Sequence, residues 1–127
     1  MSAKPVTPDN GKYTIHGKNN RNLELSLDDP DLKKYIVEEL DGDDMTAKLP
    51  PSNPENINWF ACFSVYNNHN GNKNGYAKVK YSFPVILSEG QRFFVAYNGR
   101  AHDVTDEIKK NGKVTLSEGD PAGGSVP

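Results

Sequence analysis

The sequence has little of what a disulfide-stapled or membrane-bound protein needs. Its 127 residues include one cysteine, which excludes an intrachain disulfide and a cysteine-rich metal cage. The longest apolar runs, such as Val85 to Leu87, are far shorter than the roughly 18 residues of a membrane-spanning helix. No apolar stretch follows Lys4, so no signal peptide is expected. The sequence therefore predicts one soluble domain that is stabilised by ordinary apolar burial.

An excess of positive charge is also absent. The chain carries 15 basic and 17 acidic residues, a net charge of −2, and a mean hydropathy of −0.75. Nucleic-acid binding proteins usually concentrate basic residues on one surface, whereas the two signs are interspersed here. We expect no nucleic-acid partner and no membrane insertion.

Asparagine, in contrast, is abundant. Five of the fourteen asparagines precede a glycine, and these pairs begin at Asn10, Asn70, Asn74, Asn98 and Asn111. Both residues accept a positive φ at low cost, and the type I′ turn of a β-hairpin requires it. Turn formation therefore explains the asparagine content.

Two long segments alternate with the period of a β-strand. From Ile57 to Tyr66 the odd positions are all apolar, and from Ala77 to Leu87 the odd positions are again apolar. A period of two over this length predicts an antiparallel pair with one buried face and one wetter face. Trp59 and Phe63 are expected on the buried face.

Five shorter segments complete the predicted sheets. They are Lys12 to His16, Leu23 to Leu27, Phe93 to Tyr97, Arg100 to Thr105 and Lys113 to Ser117. About seven strands at this spacing predict a mainly β protein, an antiparallel β-sandwich of the immunoglobulin-like kind.

One short α-helix is predicted after the second strand. Asp29 can cap it, Pro30 suits its first position, and Gly42 can end it. A single apolar stripe follows at helical spacing, formed by Leu32, Tyr35, Ile36 and Leu40. A second, very short helical turn is predicted from Asp106 to Lys110, ended by Asn111 and Gly112.

The two ends differ from the body of the chain. Residues 1–10 contain two prolines, and residues 119–127 are rich in glycine, proline and serine without an apolar pattern. We therefore expect a β-sandwich domain over residues 11–118, a flexible N-terminal tail, and a flexible C-terminal tail or linker. An excised module of this kind would be extracellular or on the cell surface, whereas a complete chain would be cytoplasmic.

Aromatic and amide side chains mark a candidate binding surface. Four rings fall on the phase opposite to the buried one, and the polar loop Asn67 to Asn74 joins the two long strands. Exposed rings and loop amides on rigid strands are typical of carbohydrate or protein recognition. The alternative is that the predicted helix covers these rings. The candidate ligand-binding residues are Phe60, Tyr66, His69, Asn72, Tyr76 and Phe94.

Features that would indicate catalysis or metal binding are weak. Asp41, Asp43 and Asp44 lack the spacing of a calcium loop and fit a solvated surface. His102 and Asp103 are adjacent on a predicted strand and therefore point to opposite faces. No nucleophile elbow, phosphate loop or dinucleotide motif is present. We expect no catalytic residues, no metal and no cofactor.

These patterns favour a non-enzymatic binding module that recognises a carbohydrate or protein partner as part of a larger surface or extracellular protein. The alternative is a structural or assembly component, such as a spacer or virion-type protein, without a small-molecule ligand. The oligomeric state stays open at this level. An enzyme with carboxylates brought together only in space is a third hypothesis.

Overall fold

The computed structural model describes residues 3–47, 57–82, 90–97, 100–115 and 122–125. These ranges contain eleven strands and two short α-helices. The strands are β1 (Lys4–Val6), β2 (Tyr13–Ile15), β3 (Leu23–Leu27), β4 (Tyr35–Leu40), β5 (Trp59–His69), β6 (Asn72–Tyr76), β7 (Lys80–Ser82), β8 (Arg92–Tyr97), β9 (Arg100–Asp103), β10 (Lys113–Thr115) and β11 (Ala122–Ser125). The helices are α1 (Gly42–Ala47) and α2 (Thr105–Asn111).

The strands form two antiparallel sheets. The larger sheet has seven strands in the order β1-β4-β5-β11-β8-β9, with β6 also paired to β5. The smaller sheet has four strands in the order β10-β7-β3-β2. The mainly β, antiparallel sandwich predicted from the alternating segments is therefore confirmed.

The main core lies between the two sheets. Phe63 of β5 and Tyr81 of β7 are fully buried there, and their rings meet edge to face with centroids 5.4 Å apart. Phe93 of β8 joins both rings. The two long alternating segments thus share a dry interior, as predicted.

Those two segments do not, however, form one antiparallel pair. Within the described residues, their backbones meet where the Ala77 N–H donates to the Val65 carbonyl, next to the pairing of Tyr66 with Tyr76. The chain then leaves the large sheet, and β7 pairs with β3 and β10 in the small sheet. The predicted strand from Ala77 to Leu87 is therefore interrupted, and its last five residues lie outside the described ranges.

A β-bulge reverses the predicted phase at the start of β5. Along β11, Gly124 pairs with Ala61 but the next residue, Ser125, pairs with Trp59. Phe60 is the extra residue and turns into the main core, where it is 5% exposed. Trp59 turns to the other side of the sheet instead. The prediction that Trp59 faces the main core and Phe60 the opposite face was wrong, because a bulge shifts the alternation by one residue.

The predicted helix that Asp29 caps and Gly42 ends was also wrong. Leu32–Lys34 form a single 3-10 turn, and Tyr35–Leu40 form strand β4. Every residue of β4 has a partner on β5, and β1 pairs along its other edge. Tyr, Ile and Val at its start favour extended backbone, and pairing on both edges outweighs the helical spacing of the apolar residues.

Both predicted tails contain strands. Lys4–Val6 pair with β4 at one edge of the large sheet. Ala122–Ser125 pair with β5 on one side and β8 on the other, in the middle of the same sheet. The sequence analysis did not predict these two strands, which pair with neighbouring strands on one or both edges.

The second helix follows the prediction closely. Gly112 adopts φ 72° and donates its N–H to the Ile108 carbonyl, which ends α2 at Asn111. The beginning of α2 is anchored by Asp103, whose Oδ1 accepts from both the N–H and the hydroxyl of Thr105 at 3.0 and 2.6 Å. Arg92 Nε donates to Asp103 Oδ2 at 2.9 Å. Burial alone would raise the pKa of Asp103, but the bonds from Thr105 and Arg92 outweigh it and lower that pKa.

We expect Asp103→Asn to change the acid stability of the fold. The pKa of Asp103 is lower in the folded chain than in the unfolded chain. The ionised carboxylate therefore makes its full contribution to the free energy of unfolding above the unfolded pKa, and this contribution is lost as pH falls through the folded pKa. The variant should be less stable by about 1 kcal/mol at neutral pH, since the carboxylate is partly solvated. The difference should shrink below about pH 4. Urea unfolding between about pH 7 and pH 2 measures this.

Asp106→Asn is the matched control, because Asp106 is 91% exposed and lies 3.9 Å from Arg92. It should remain within about 0.5 kcal/mol of the parent at every pH. Equal pH profiles for the two variants would contradict the assigned hydrogen bonds of Asp103.

Candidate functional site

The face of the large sheet that points away from the small sheet is called here the outer face. Met45 of α1, Leu40, Cys62 and Trp59 form a second apolar cluster on it. Phe94 packs edge to face on Trp59, with ring centroids 5.7 Å apart. This cluster is covered in part by α1, which occupies the place that the sequence assigned to a different helix.

The beginning of α1 explains the acidic residues around Gly42. Asp41 Oδ1 accepts from the Asp44 N–H at 2.8 Å, and this bond lowers the Asp41 pKa. Asp41 therefore caps the helix, and Asp43 and Asp44 lie in its positively polarised first turn. Gly42 begins a helix rather than ending one, which corrects its predicted role.

Cys62 has no access to solvent on this face. Burial, the main cause, raises the pKa of its thiol to about 12. The thiol therefore stays protonated at neutral pH, and a protonated, buried thiol is a packing group rather than a nucleophile.

A tight hairpin joins β5 to β6. Asn70 and Gly71 are its two turn residues, with φ of 53° and 87°, and the Gly71 N–H donates to Asn68 Oδ1 at 2.8 Å. Asn68 Nδ2 also donates to the Lys33 carbonyl at 3.0 Å, which ties the hairpin to the 3-10 turn. The polar loop predicted from Asn67 to Asn74 is therefore mostly strand, because the Asn-Gly turn needs only two residues.

Two tyrosines stack on the outer face of this hairpin. The rings of Tyr66 and Tyr76 lie nearly parallel with centroids 4.8 Å apart, and both side chains are half-buried. Lys73 Nζ lies 5.0 Å from the centre of the Tyr66 ring. The same ammonium lies 3.2 Å from both carboxylate oxygens of Glu38 on β4. These four residues are called the tyrosine–lysine cluster below.

Each member of the cluster contacts another member. Glu38 is only 9% exposed at its side chain, so the half-exposed Lys73 ammonium compensates a nearly buried carboxylate. Burial is the main cause that raises the pKa of Tyr66 to about 12, and hydrogen bonding to Tyr76 is the next cause. The Tyr66 phenol therefore keeps its proton at neutral pH, and the cluster offers hydrogen-bond donors beside a ring surface.

The structure brings together only part of the predicted site. Tyr66 and Tyr76 are paired across the strands and share the outer face, as the alternation predicted. His69 and Asn72 are also paired and exposed, but the strand register places them on the other face of the hairpin. Phe94 lies on the outer face, roughly 17 Å from Tyr66 by strand spacing.

The sixth candidate, Phe60, contributes to a different site. It lines a polar cleft of about 290 Å³ at the end of β4, together with His16, Lys18 and Glu39. Glu39 Oε2 accepts from the His16 backbone N–H at 2.8 Å and lies 3.0 Å from His16 Nδ1. Sequence reasoning missed this cleft, because its residues come from four separate segments and share no spacing.

Gly17 makes the cleft possible. A Cβ at this position would lie 2.0 Å from the Arg21 carbonyl oxygen and 2.2 Å from that of Phe60. Only glycine permits the two backbones to come so close, and the carbonyl oxygens leave no flexible atom to move. The cleft can hold a small polar molecule, since cationic and carboxylate groups line it.

Comparisons of the chain with protein-family models, curated proteins and solved structures return no match. Within the described ranges, neither helix has the length and apolar content needed to cross a bilayer. Among the same residues, no three His, Cys, Asp or Glu side chains converge as metal ligands. The tyrosine–lysine cluster and the polar cleft are two arrangements in the described part of the chain that place polar groups beside aromatic or apolar surface.

Proposed function

We propose that the chain is a non-enzymatic binding module that recognises a carbohydrate or protein partner through the tyrosine–lysine cluster. The observation that carries this proposal is the stacked, half-exposed pair Tyr66 and Tyr76, which Lys73 and Glu38 hold on the outer face. Rigid tyrosines contribute contact area at a low cost in conformational entropy, and they are enriched at recognition surfaces.

The surroundings of the tyrosine pair support recognition over catalysis. Tyr76 and Lys73 lie close to the Tyr66 ring, and the Tyr66 and Tyr76 side chains both keep part of their surface exposed. The exposed β6 residues Lys73 and Asn74 add an ammonium and an amide next to the Tyr76 ring. An aromatic surface with neighbouring polar groups suits a sugar ring or a polar protein patch.

Tyr76→Ala is expected to weaken partner binding at least about tenfold, the usual loss for a central tyrosine of an interface. The test is an NMR titration of the labelled chain against a panel of oligosaccharides and candidate proteins. The proposal predicts that amide shifts caused by a partner centre on Tyr66, Lys73 and Tyr76.

Asn72→Ala is the matched control, because Asn72 is exposed on the opposite face of the same hairpin. It should leave affinity unchanged within about twofold. Binding that is lost equally in both variants, or shifts that centre on the His16–Glu39 cleft, would overturn the proposed surface.

A further inference from the structure

The Asn-Gly pairs of this chain carry the groups for a covalent change as well as for turns. In such a pair the glycine backbone nitrogen can attack the side-chain carbon Cγ of the asparagine, because glycine has no side chain to obstruct the approach. A bond forms between this nitrogen and Cγ, the Cγ–Nδ2 bond breaks, and the side-chain nitrogen leaves as ammonia with the proton of the glycine N–H. Water then opens the cyclic imide to aspartate or isoaspartate, so water is the only co-reactant.

The reaction requires the peptide group between the two residues to rotate, because the glycine nitrogen must turn towards Cγ. A hydrogen bond to either end of that peptide group opposes the rotation. Three of the four pairs in the described ranges have such a bond. The Gly71 N–H donates to Asn68 Oδ1 at 2.8 Å, the Gly112 N–H donates to the Ile108 carbonyl at 2.6 Å, and the Asn74 carbonyl accepts from Asn67 Nδ2 at 3.2 Å. The fifth pair of the sequence, Asn98 and Gly99, lies outside these ranges.

The remaining described pair, Asn10 and Gly11, lacks this restraint. Both residues are exposed, and within the described part of the chain no hydrogen bond involves the peptide group between them. Their turn is closed by one isolated bridge, in which the Asp9 N–H donates to the Lys12 carbonyl at 2.8 Å and the Lys12 N–H donates to the Asp9 carbonyl at 3.0 Å. A turn that two exposed bonds hold opens at a low cost in free energy, without unfolding of the core.

We propose that Asn10 is a site of spontaneous deamidation in the folded chain and is modified in preference to Asn70, Asn74 and Asn111. The inference goes beyond the proposed function and uses neither the tyrosine–lysine cluster nor the polar cleft. The product carries one more negative charge beside Asp9. In its isoaspartate form the backbone passes through the former side chain, and this longer path no longer fits a turn with two central residues.

The test incubates the folded full-length chain at mildly alkaline pH in water enriched in ¹⁸O, which marks each new carboxylate. Peptide mapping by mass spectrometry gives the rate at each asparagine, and electron-transfer fragmentation separates aspartate from isoaspartate. We expect Asn10 to react at least about tenfold faster than the other three, because each additional hydrogen bond that must open lowers the reactive population several-fold. In the chain unfolded by urea the four rates should agree within about threefold, because glycine follows each of these asparagines.

Asn68→Ala tests whether hydrogen bonds determine this ranking, since it removes the acceptor of the Gly71 N–H. The Asn70 rate should rise at least about fivefold, while the rates at Asn10 and Asn111 should stay within about twofold, which shows that the fold is intact.

Gly11→Ala is the matched control for the reaction itself. A Cβ at Gly11 meets nothing within 4 Å, but its methyl group obstructs the attacking nitrogen, so the Asn10 rate should fall at least about tenfold. The inference is overturned if Asn10 is not the fastest of the four sites in the folded chain, or if the same ranking persists in urea. An unchanged Asn70 rate in Asn68→Ala, or an unchanged Asn10 rate in Gly11→Ala, would overturn it as well.

Discussion

Replacement of Phe63 by alanine should destabilise the fold by roughly 3–5 kcal/mol, the usual range for a buried aromatic truncation. The Phe63 side chain is fully buried and contacts Tyr81 and Phe93, so it joins the two sheets at the centre of the main core. Its loss leaves a cavity that rigid strands on both sides cannot close. The free energy of unfolding in urea or guanidinium chloride measures the effect.

Asn72→Ala is the control for this prediction, because Asn72 is exposed on β6 and its side chain supports no core contact. Its free energy of unfolding should remain within about 0.5 kcal/mol of the parent. The reverse ranking of the two variants would mean that the assigned alternation of β5 is wrong.

Gly123→Val should be the second severe change, at roughly 3 kcal/mol, the upper part of the range for overpacking. The new side chain would meet Cys62 Sγ and the Ala61 carbonyl oxygen, and the carbonyl belongs to the ladder that holds β11. The strand can avoid this contact only by giving up hydrogen bonds. Chemical unfolding of the purified variant measures the loss.

Gly112→Ala is the comparison for Gly123→Val. Nothing lies within 4 Å of a Cβ at Gly112, so the substitution costs only the strain of the left-handed backbone, about 1 kcal/mol.

Cys62→Ala should partly rescue Gly123→Ala, because it removes Cys62 Sγ, the atom nearest to the new Cβ. The coupling energy between the two substitutions should be about 1 kcal/mol. Independent effects of these two substitutions would contradict the contact.

The sequence was a good guide wherever one face of a strand is buried. Leu23–Leu27 was predicted with its observed bounds, and Phe93 and Val95 were predicted on the buried face of β8. The alternation of apolar and polar residues in the sequence fails at β4, because both faces of this strand are covered. Val37 packs in the main core, while Leu40 packs in the outer cluster. A strand covered on both faces loses the period of two, and its apolar residues then fit a helix equally well.

The central strand β11 could not be predicted from local sequence. Ala-Gly-Gly-Ser has low strand propensity and no apolar pattern, so it is typical of a linker. Its strand conformation comes from distant residues, above all Phe60 and Cys62, which leave a slot of glycine width. Phe60 was misplaced for a similar reason, since the bulge beside it depends on the register of β11.

The candidate site was predicted in part because its register is local. The Asn70–Gly71 turn fixes the pairing of His69 with Asn72 and of Asn68 with Lys73, and a shift of register just beyond these pairs brings Tyr66 opposite Tyr76. Lys73 lies in the polar loop that was predicted as a candidate, whereas Glu38 was not predicted, because it belongs to the strand that had been assigned to a helix. The His16–Glu39 cleft depends on contacts between both sheets and left no signal in the spacing of its residues.

Amide hydrogen exchange of Gly123 and Gly124 tests most directly the claim that the C-terminal segment is the centre of the large sheet. A strand paired on both sides opens only with global unfolding, so these two amides should exchange as slowly as that of Phe63. Exchange of both glycines at the rate of an unstructured peptide, with Phe63 still protected, would contradict the account.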